Sequence, residues 1–359
     1  MSAPVQSTLE PERGALYLAE IREQPDALLR LLEHEEDFAA AARAMAARAP
    51  VVVRLVGHGT SDNAASYGVY AFGLLPGWTA LRDSISLSVY YGATLDFSQS
   101  IVIALSQSGR TPDVVDYVER ARVGGALTIA LTNQPDSALA SAAEITLPLH
   151  AGPELSVAAT KTYFNELAAL ALLAGGVAGR GLEVADDLRR VADLLAGALP
   201  DLEHAAGQLA VPFAFVGRMF VVGRGPELAT AREIALKLTE TCRVAAEPLT
   251  ATALAHGPIA ALDPLFPLWA IATDDPSLPS VLEAVARAKA AGATVIASGN
   301  AAAAIESASY TLQVPKAPGL VFAPLLSVVP GQLFAGALAR AKGLDPDHPA
   351  GLSKVTLAR

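Results

Sequence analysis

Residues 112–133, PDVVDYVERARVGGALTIALTN, return as residues 279–300, PSVLEAVARAKAAGATVIASGN, after a shift of 167 positions. Val118, Arg120, Ala121, Gly125, Ala126, Ile129, Ala130 and Asn133 meet identical residues at Val285, Arg287, Ala288, Gly292, Ala293, Ile296, Ala297 and Asn300. Each copy reads as a helix, a glycine turn and a short apolar strand. A shift of 166 also lays Gly57-His58-Gly59 on Gly223-Arg224-Gly225, each directly after a β-branched apolar run. Solenoid repeats run about 20–50 residues, so a period this long marks a duplicated domain.

Working outward from the repeat, strands are expected at 51–56, 101–105, 127–131 and 145–149, and again at 219–222, 268–272, 294–297 and 310–314. These runs are short and do not alternate with polar residues, the pattern of parallel strands buried on both faces. The fold class is therefore α/β, with two tandem doubly wound parallel-sheet domains. Residues 1–49 read as an N-terminal helical arm and 50–160 as the first domain. Residues 161–210 read as connecting helices broken at Gly175-Gly176, 211–342 as the second domain, and 343–359 as a loop-like tail.

Two cores fit the 359 residues, and 52% hydrophobic against 17% charged residues excludes a disordered chain. The net charge of −10 offers no general field for a polyanion, so nucleic acid is not an expected partner. Cys242 is the only cysteine, which excludes an intramolecular disulfide and an all-cysteine metal or cluster site and suits a reducing compartment. The first 25 residues carry Glu10, Glu12, Glu20 and Glu23 and no apolar core, so no secretory signal is read and a cytoplasmic location is expected. Residues 319–339 are uncharged, but Pro324, Ser327, Pro330 and Gln332 interrupt them; a buried core segment is expected there and no membrane partner.

Ligands of open parallel sheets bind beyond the carboxyl ends of the strands. Two turns there are rich in hydroxyls: Gly57-His58-Gly59-Thr60-Ser61 and Ser106-Gln107-Ser108-Gly109-Arg110-Thr111-Pro112-Asp113. With Thr111 as N-cap and Pro112 as first helical residue, free N–H groups and the positive helix end would face the turn, an anion cradle suited to a phosphate monoester. Each turn alone also reads as an ordinary solvated helix start. The second half has Thr273-Asp274-Asp275-Pro276 in the corresponding place, where two carboxylates would repel phosphate. Glu233, Lys237 and Glu240 lie along one helix face, by themselves a solvated stripe with an ion pair. His256 and Lys354 alone read as a structural or solvated histidine and a solvated lysine.

Taken together, Gly59-Thr60-Ser61, Ser106-Gln107-Ser108-Gly109, Val157-Ala158-Ala159-Thr160-Lys161, Ala235-Leu236-Lys237-Leu238-Thr239-Glu240, His256-Gly257-Pro258 and Gly351-Leu352-Ser353-Lys354 resemble, in order and spacing, the isomerase half of the glutamine–fructose-6-phosphate aminotransferases. That half is a tandem of sugar isomerase (SIS) domains of flavodoxin-like fold, and the resemblance covers nearly the whole chain. It implies sugar-phosphate contacts at Gly59, Thr60, Ser61, Ser106, Gln107, Ser108 and Thr111, and substrate-binding positions at Val157, Ala159 and Lys237. It further implies Glu240 as the acid/base that moves a proton between C1 and C2, His256 as the ring-opening histidine, and Lys354 as an imine-forming lysine. In the family the histidine reaches a neighbouring subunit's site, implying a homodimer or larger assembly. No metal site and no cofactor is expected.

The departures from the family pattern bear on substrate. Arg110 replaces an acidic residue, Ala159 a serine that helps bind sugar, and Ala253 and Ala255 stand where Glu and Lys precede the histidine. The chain reaches the sugar-binding turns within about fifty residues of Met1-Ser2, with no N-terminal cysteine for glutamine hydrolysis. The leading expectation is a deaminase converting glucosamine 6-phosphate to fructose 6-phosphate and ammonia. A fructosamine-6-phosphate deglycase and a non-catalytic sugar-phosphate sensor are the alternatives, the last opposed by retention of Glu240, His256 and Lys354.

Overall fold

A computed structural model describes residues 13–354. The first twelve residues of the expected arm, with Glu10 and Glu12, and the last five of the expected tail lie outside the described residues. The arm forms α1 (Ala15–Arg22), α2 (Gln24–Leu32) and α3 (Glu35–Ala47). The first half follows as β1 (Val52–Val56), α4 (Thr60–Leu74), β2 (Ala80–Arg82), α5 (Ile85–Val89), β3 (Ser100–Leu105), α6 (Pro112–Val123), β4 (Leu127–Thr132), α7 (Ala138–Ala142) and β5 (Ile145–Pro148). Two connecting helices, α8 (Lys161–Val177) and α9 (Gly181–Ala210), lead to the second half. It runs β6 (Arg218–Gly223), α10 (Glu227–Cys242), β7 (Ala245–Thr250), β8 (Leu268–Ala272), α11 (Leu278–Ala290), β9 (Val295–Gly299), α12 (Ala302–Ser307), β10 (Tyr310–Gln313), α13 (Ala323–Ser327) and α14 (Val329–Ala341).

Both sheets are parallel and share one topology. The first is ordered β2-β1-β3-β4-β5 and the second, read from its other edge, β7-β6-β8-β9-β10. In each, the order reverses beside the first strand, so the turns after β1 and β3, and after β6 and β8, flank a switch-point crevice. The expected strands are present with boundaries shifted by a residue or two. The edge strands β2 and β7 were not expected: β2 is three residues long, and β7, AAEPLT, carries Glu247 and Pro248. Proline is tolerated at a sheet edge, where one side of the ladder is unpaired.

The break at Gly175-Gly176 is corrected by the structure. α8 continues to Val177, and the chain turns at residues 178–180, with Gly179 at φ +72°. The glycine pair instead allows close helix packing: a Cβ on Gly175 would lie 2.5 Å from a Val184 methyl, and one on Gly176 2.6 Å from the Ala42 Cβ. One apolar cluster joins the arm, α8, α9 and α14, and so is common to both halves. Leu320–Ala341 is, among the described residues, long and apolar enough to cross a bilayer, but 89% of its most apolar 18-residue window is buried inside the protein.

Among the core carboxyls pushed up by burial, Glu20 and Glu227 reach about 7 and Glu166 about 8. Each keeps its proton in the folded chain where the unfolded chain has released it. Stability from these groups is therefore full below about pH 4.5 and falls as pH rises to 7–8, by at most about 1.4 kcal/mol per pH unit for each. Urea midpoints are expected to be lower at pH 8 than at pH 5.5, with part of the slope removed in Glu227→Gln. Equal midpoints at the two pH values would contradict this account.

Candidate active site

A cavity of about 670 Å³ opens at the first half's switch point. One wall is the start of α4, the second is the turn between β3 and α6, and α10 reaches in from the other half. The β3 turn is shaped by Gly109 (φ +59°), whose added Cβ would lie 2.0 Å from Ser137 Oγ. Ser106 Oγ accepts the Gly109 N–H at 3.1 Å and Ser108 Oγ the Arg110 N–H at 3.3 Å. Thr111 is the N-cap residue of α6 with Pro112 following, as the sequence predicts, but its side chain makes no capping bond. Its Oγ1 lies 3.4 Å from Ser106 Oγ on the cavity wall. Serine and threonine hydroxyls and the N-terminus of α6 meet at this wall, a composition that suits an anion.

The row on α10 is not a solvated stripe. Lys237 and Glu233 are fully buried, because α10 packs against α4 across the two halves. Lys237 Nζ donates to Glu240 Oε2 at 2.6 Å and to Thr60 Oγ1 at 3.1 Å, and lies 3.3 Å from Glu233 Oε1. Asn63 Nδ2 donates to Glu233 Oε2 at 2.8 Å. Burial alone would lower the Lys237 ammonium, but Glu233 and Glu240 outweigh it and hold the group cationic. One ammonium therefore ties the Glu240 carboxylate to the first-half turn, and Glu240 lines the same cavity as Ser106 and Thr111.

The third wall is the segment between β5 and α8. Glu154, fully buried, accepts the N–H groups of Thr160 and Thr162, the Thr162 hydroxyl, and Lys354 Nζ at 3.0 Å. Burial raises this carboxyl, yet Lys354 and those N–H groups together leave it below its ordinary range. Lys354 Nζ also donates to the Ser156 carbonyl at 2.6 Å, and the Val157 N–H donates to the Asp347 carbonyl at 3.0 Å. The C-terminal segment thus closes on the cavity, and Lys354 is paired rather than solvated.

Gly59, Thr60, Ser61, Ser106, Gln107, Ser108, Thr111, Val157, Ala159, Glu240 and Lys354 all line the cavity. Lys237 does not; it sits behind Thr60 and Glu240 as their link. His256 does not either: it is exposed, in a short 3-10 turn, Ala253–His256, outside this chain's cavity. Sequence reasoning did not single out His58, Tyr90, Asp113, Thr162 or Glu166, which also line the cavity. His58 Nε2 lies 2.8 Å from Asp113 Oδ2, and Glu166 accepts the Ser61 hydroxyl at 2.7 Å. Glu166 had a signal, as the lone acid in an apolar helix. His58 and Asp113 stand in the quoted turns but read as solvated. Among the described residues, no three His, Cys, Asp or Glu side chains are grouped to hold a metal.

The second half's corresponding crevice is built differently. Glu227 stands four residues after Gly223, as Ser61 stands four after Gly57. Its carboxyl is buried and accepts the Ser327 hydroxyl at 2.9 Å and that of Thr273 at 3.3 Å.

Fold and cavity define a tandem doubly wound α/β protein with a hydroxyl-lined cavity at the first half's switch point. The SIS domain model matches residues 52–175 and again 213–341. Glutamine–fructose-6-phosphate aminotransferase (isomerizing) of Pyrococcus horikoshii is 33% identical over 361 residues, covering 98% of this chain and 59% of that protein. The chain thus spans under two thirds of that relative's length. The C-terminal domain of glucosamine-fructose-6-phosphate aminotransferase from Francisella tularensis superposes with a TM-score of 0.84 at 25% identity, over 97% of this chain and all of that one. A candidate phosphosugar isomerase from Silicibacter pomeroyi superposes at 0.79 with 32% identity, over 92% of this chain and 99% of that one. The chain belongs to the SIS domain family, with two copies of the domain in tandem and homology to the aminotransferase's isomerase region.

Proposed function

We propose that the chain is a glucosamine-6-phosphate deaminase, releasing ammonia and fructose 6-phosphate without glutamine. The observation that carries the reading is the shared cavity, in which the first half's hydroxyl turns face Glu240 of the second half. In this reading Ser61, Ser106, Ser108 and Thr111 hold the phosphate, with Gln107, Gly59 and the backbone of Val157 and Ala159 placing the sugar. Phosphate binding energy orients the reacting carbons against the base. Glu240 takes the C2 proton of the open-chain substrate and returns a proton to C1, while Lys237, behind the cavity wall, holds the Glu240 carboxylate and Thr60 in place. The resulting imine adds water at C2 and expels ammonia, leaving the ketose. Lys354 stands ready for an imine with that ketose, and His256 of a second copy in a homodimer opens the ring. The reaction as written needs no cofactor, nucleic acid or membrane and suits the cytoplasm.

A second reading, a fructosamine-6-phosphate deglycase, is favoured by one feature. A neighbouring cavity of about 510 Å³ shares Glu240 and Leu352 with the first and has room for an amine substituent. A panel of hexosamine and fructosamine 6-phosphates is expected to give ammonia from glucosamine 6-phosphate and no free amino acid from the substituted compounds. Amino acid release instead would move the assignment to the deglycase, and no turnover of any member would leave a sensor.

A further inference from the structure

We propose that Glu166 is a positioning residue of the anion cradle, acting in its carboxylic acid form as a hydrogen-bond donor to Ser61 Oγ so that the serine's own hydroxyl proton faces the ligand. The inference rests on the reading of the cavity as a phosphate site. Ser61, in the first turn of α4, has one hydroxyl proton, and where Glu166 is ionised that proton is directed at Glu166 Oε1, 2.7 Å away. A serine donating to a carboxylate has nothing left to donate to a phosphate, and an ionised carboxylate behind it would repel the dianion. If the carboxyl turns and donates to Ser61 Oγ, the serine proton is released toward the cavity. No bond is made or broken beyond this exchange of donors.

The surroundings of Glu166 favour the acid form. It is 1% exposed, and its Oε2 is buried with no hydrogen-bond partner among the described residues. An ionised oxygen left bare in the interior is costly, whereas a neutral acid carries its own donor. α4 presents Ser61; α10 presents Glu233, whose charge is answered by Lys237 and Asn63. The preceding segment presents Glu154, answered by Lys354, and its own helix contributes Tyr163. Burial raises this carboxyl, Ser61 opposes the rise, and Glu233 and Glu154 add to it, leaving it at about 8. A bound dianion raises it further, so binding takes up a proton wherever the free protein has lost it.

The test is titration calorimetry with fructose 6-phosphate from pH 7 to 9, in buffers of different ionisation enthalpy. A phosphate ester stays dianionic across this range, so it contributes no uptake. The wild type is expected to take up a growing fraction of a proton above pH 8 and to lose affinity toward about tenfold per pH unit. Glu166→Gln, which keeps the shape and supplies a permanent donor, is expected to bind with no such uptake and to hold its affinity at pH 9. Groups common to both proteins cancel in the comparison. Ser61→Ala is expected to reduce the uptake to what the dianion's charge alone induces in Glu166, since no serine remains to be turned. Wild type without proton uptake, or Glu166→Gln with an unchanged pH profile, would overturn the proposal. Uptake undiminished in Ser61→Ala would show that Glu166 acts on something else and would overturn the proposal. Failure of fructose 6-phosphate to bind any of these proteins at pH 7 would instead remove the phosphate site, and this inference with it.

Discussion

Glu240→Gln is expected to lower turnover of glucosamine 6-phosphate roughly 10²–10⁴-fold, the usual contribution of a positioned proton-transfer group. The affinity for fructose 6-phosphate should change little. The substitution is nearly isosteric, and the amide oxygen can still accept from Lys237, now 2.6 Å from the carboxylate. What is lost is basicity at the one carboxyl that both lines the cavity and comes from the second half. The phosphate contacts proposed on α4 and the β3 turn are untouched. Steady-state kinetics with a separate binding titration divides the two effects, and full activity in the variant would remove Glu240 from the mechanism.

Lys237→Met is expected to cost about 3–5 kcal/mol of folding stability, the range for breaking a buried ion pair by removing one partner. Glu233 is completely buried and would keep only its Asn63 and Thr60 contacts. Glu240 would lose its anchor in the same change. Adding Glu233→Gln should recover most of the loss, because the stranded charge is then gone; urea denaturation of both variants measures it. A single variant within about 1 kcal/mol of wild type would mean that the cluster does not hold α10 to α4.

The parallel strands were legible because burial on both faces leaves an apolar run without regular polar alternation, as in IVIAL of β3. The edges were not, because a strand with one free side can be as short as β2 or as polar as β7. The repeat disclosed two domains of one topology, and the structure extends the likeness to strand order in each sheet. Of the site, the hydroxyl turns could be read at the strand ends, where topology itself puts ligands. The burial of Lys237 could not, since helical spacing says which residues share a face and not what covers it. Only the packing of α10 on α4 turns that face from solvent to interior. Glu154 was missed for the same reason: its partners Thr160, Thr162 and Lys354 come from a loop start and the distant C-terminal segment. His256 is the reverse case, legible through resemblance and exposed in the single chain.

Deuterium exchange tests the central claim most directly, since it detects the proton transfer itself whatever the amine carries. Fructose 6-phosphate incubated with the protein in D₂O and followed by proton NMR is predicted to take up solvent deuterium at C1, and Glu240→Gln to suppress that exchange. Absence of exchange in the wild type, with the sugar phosphate shown to be bound, would contradict a carboxylate acting on a ligand held by the first-half turns.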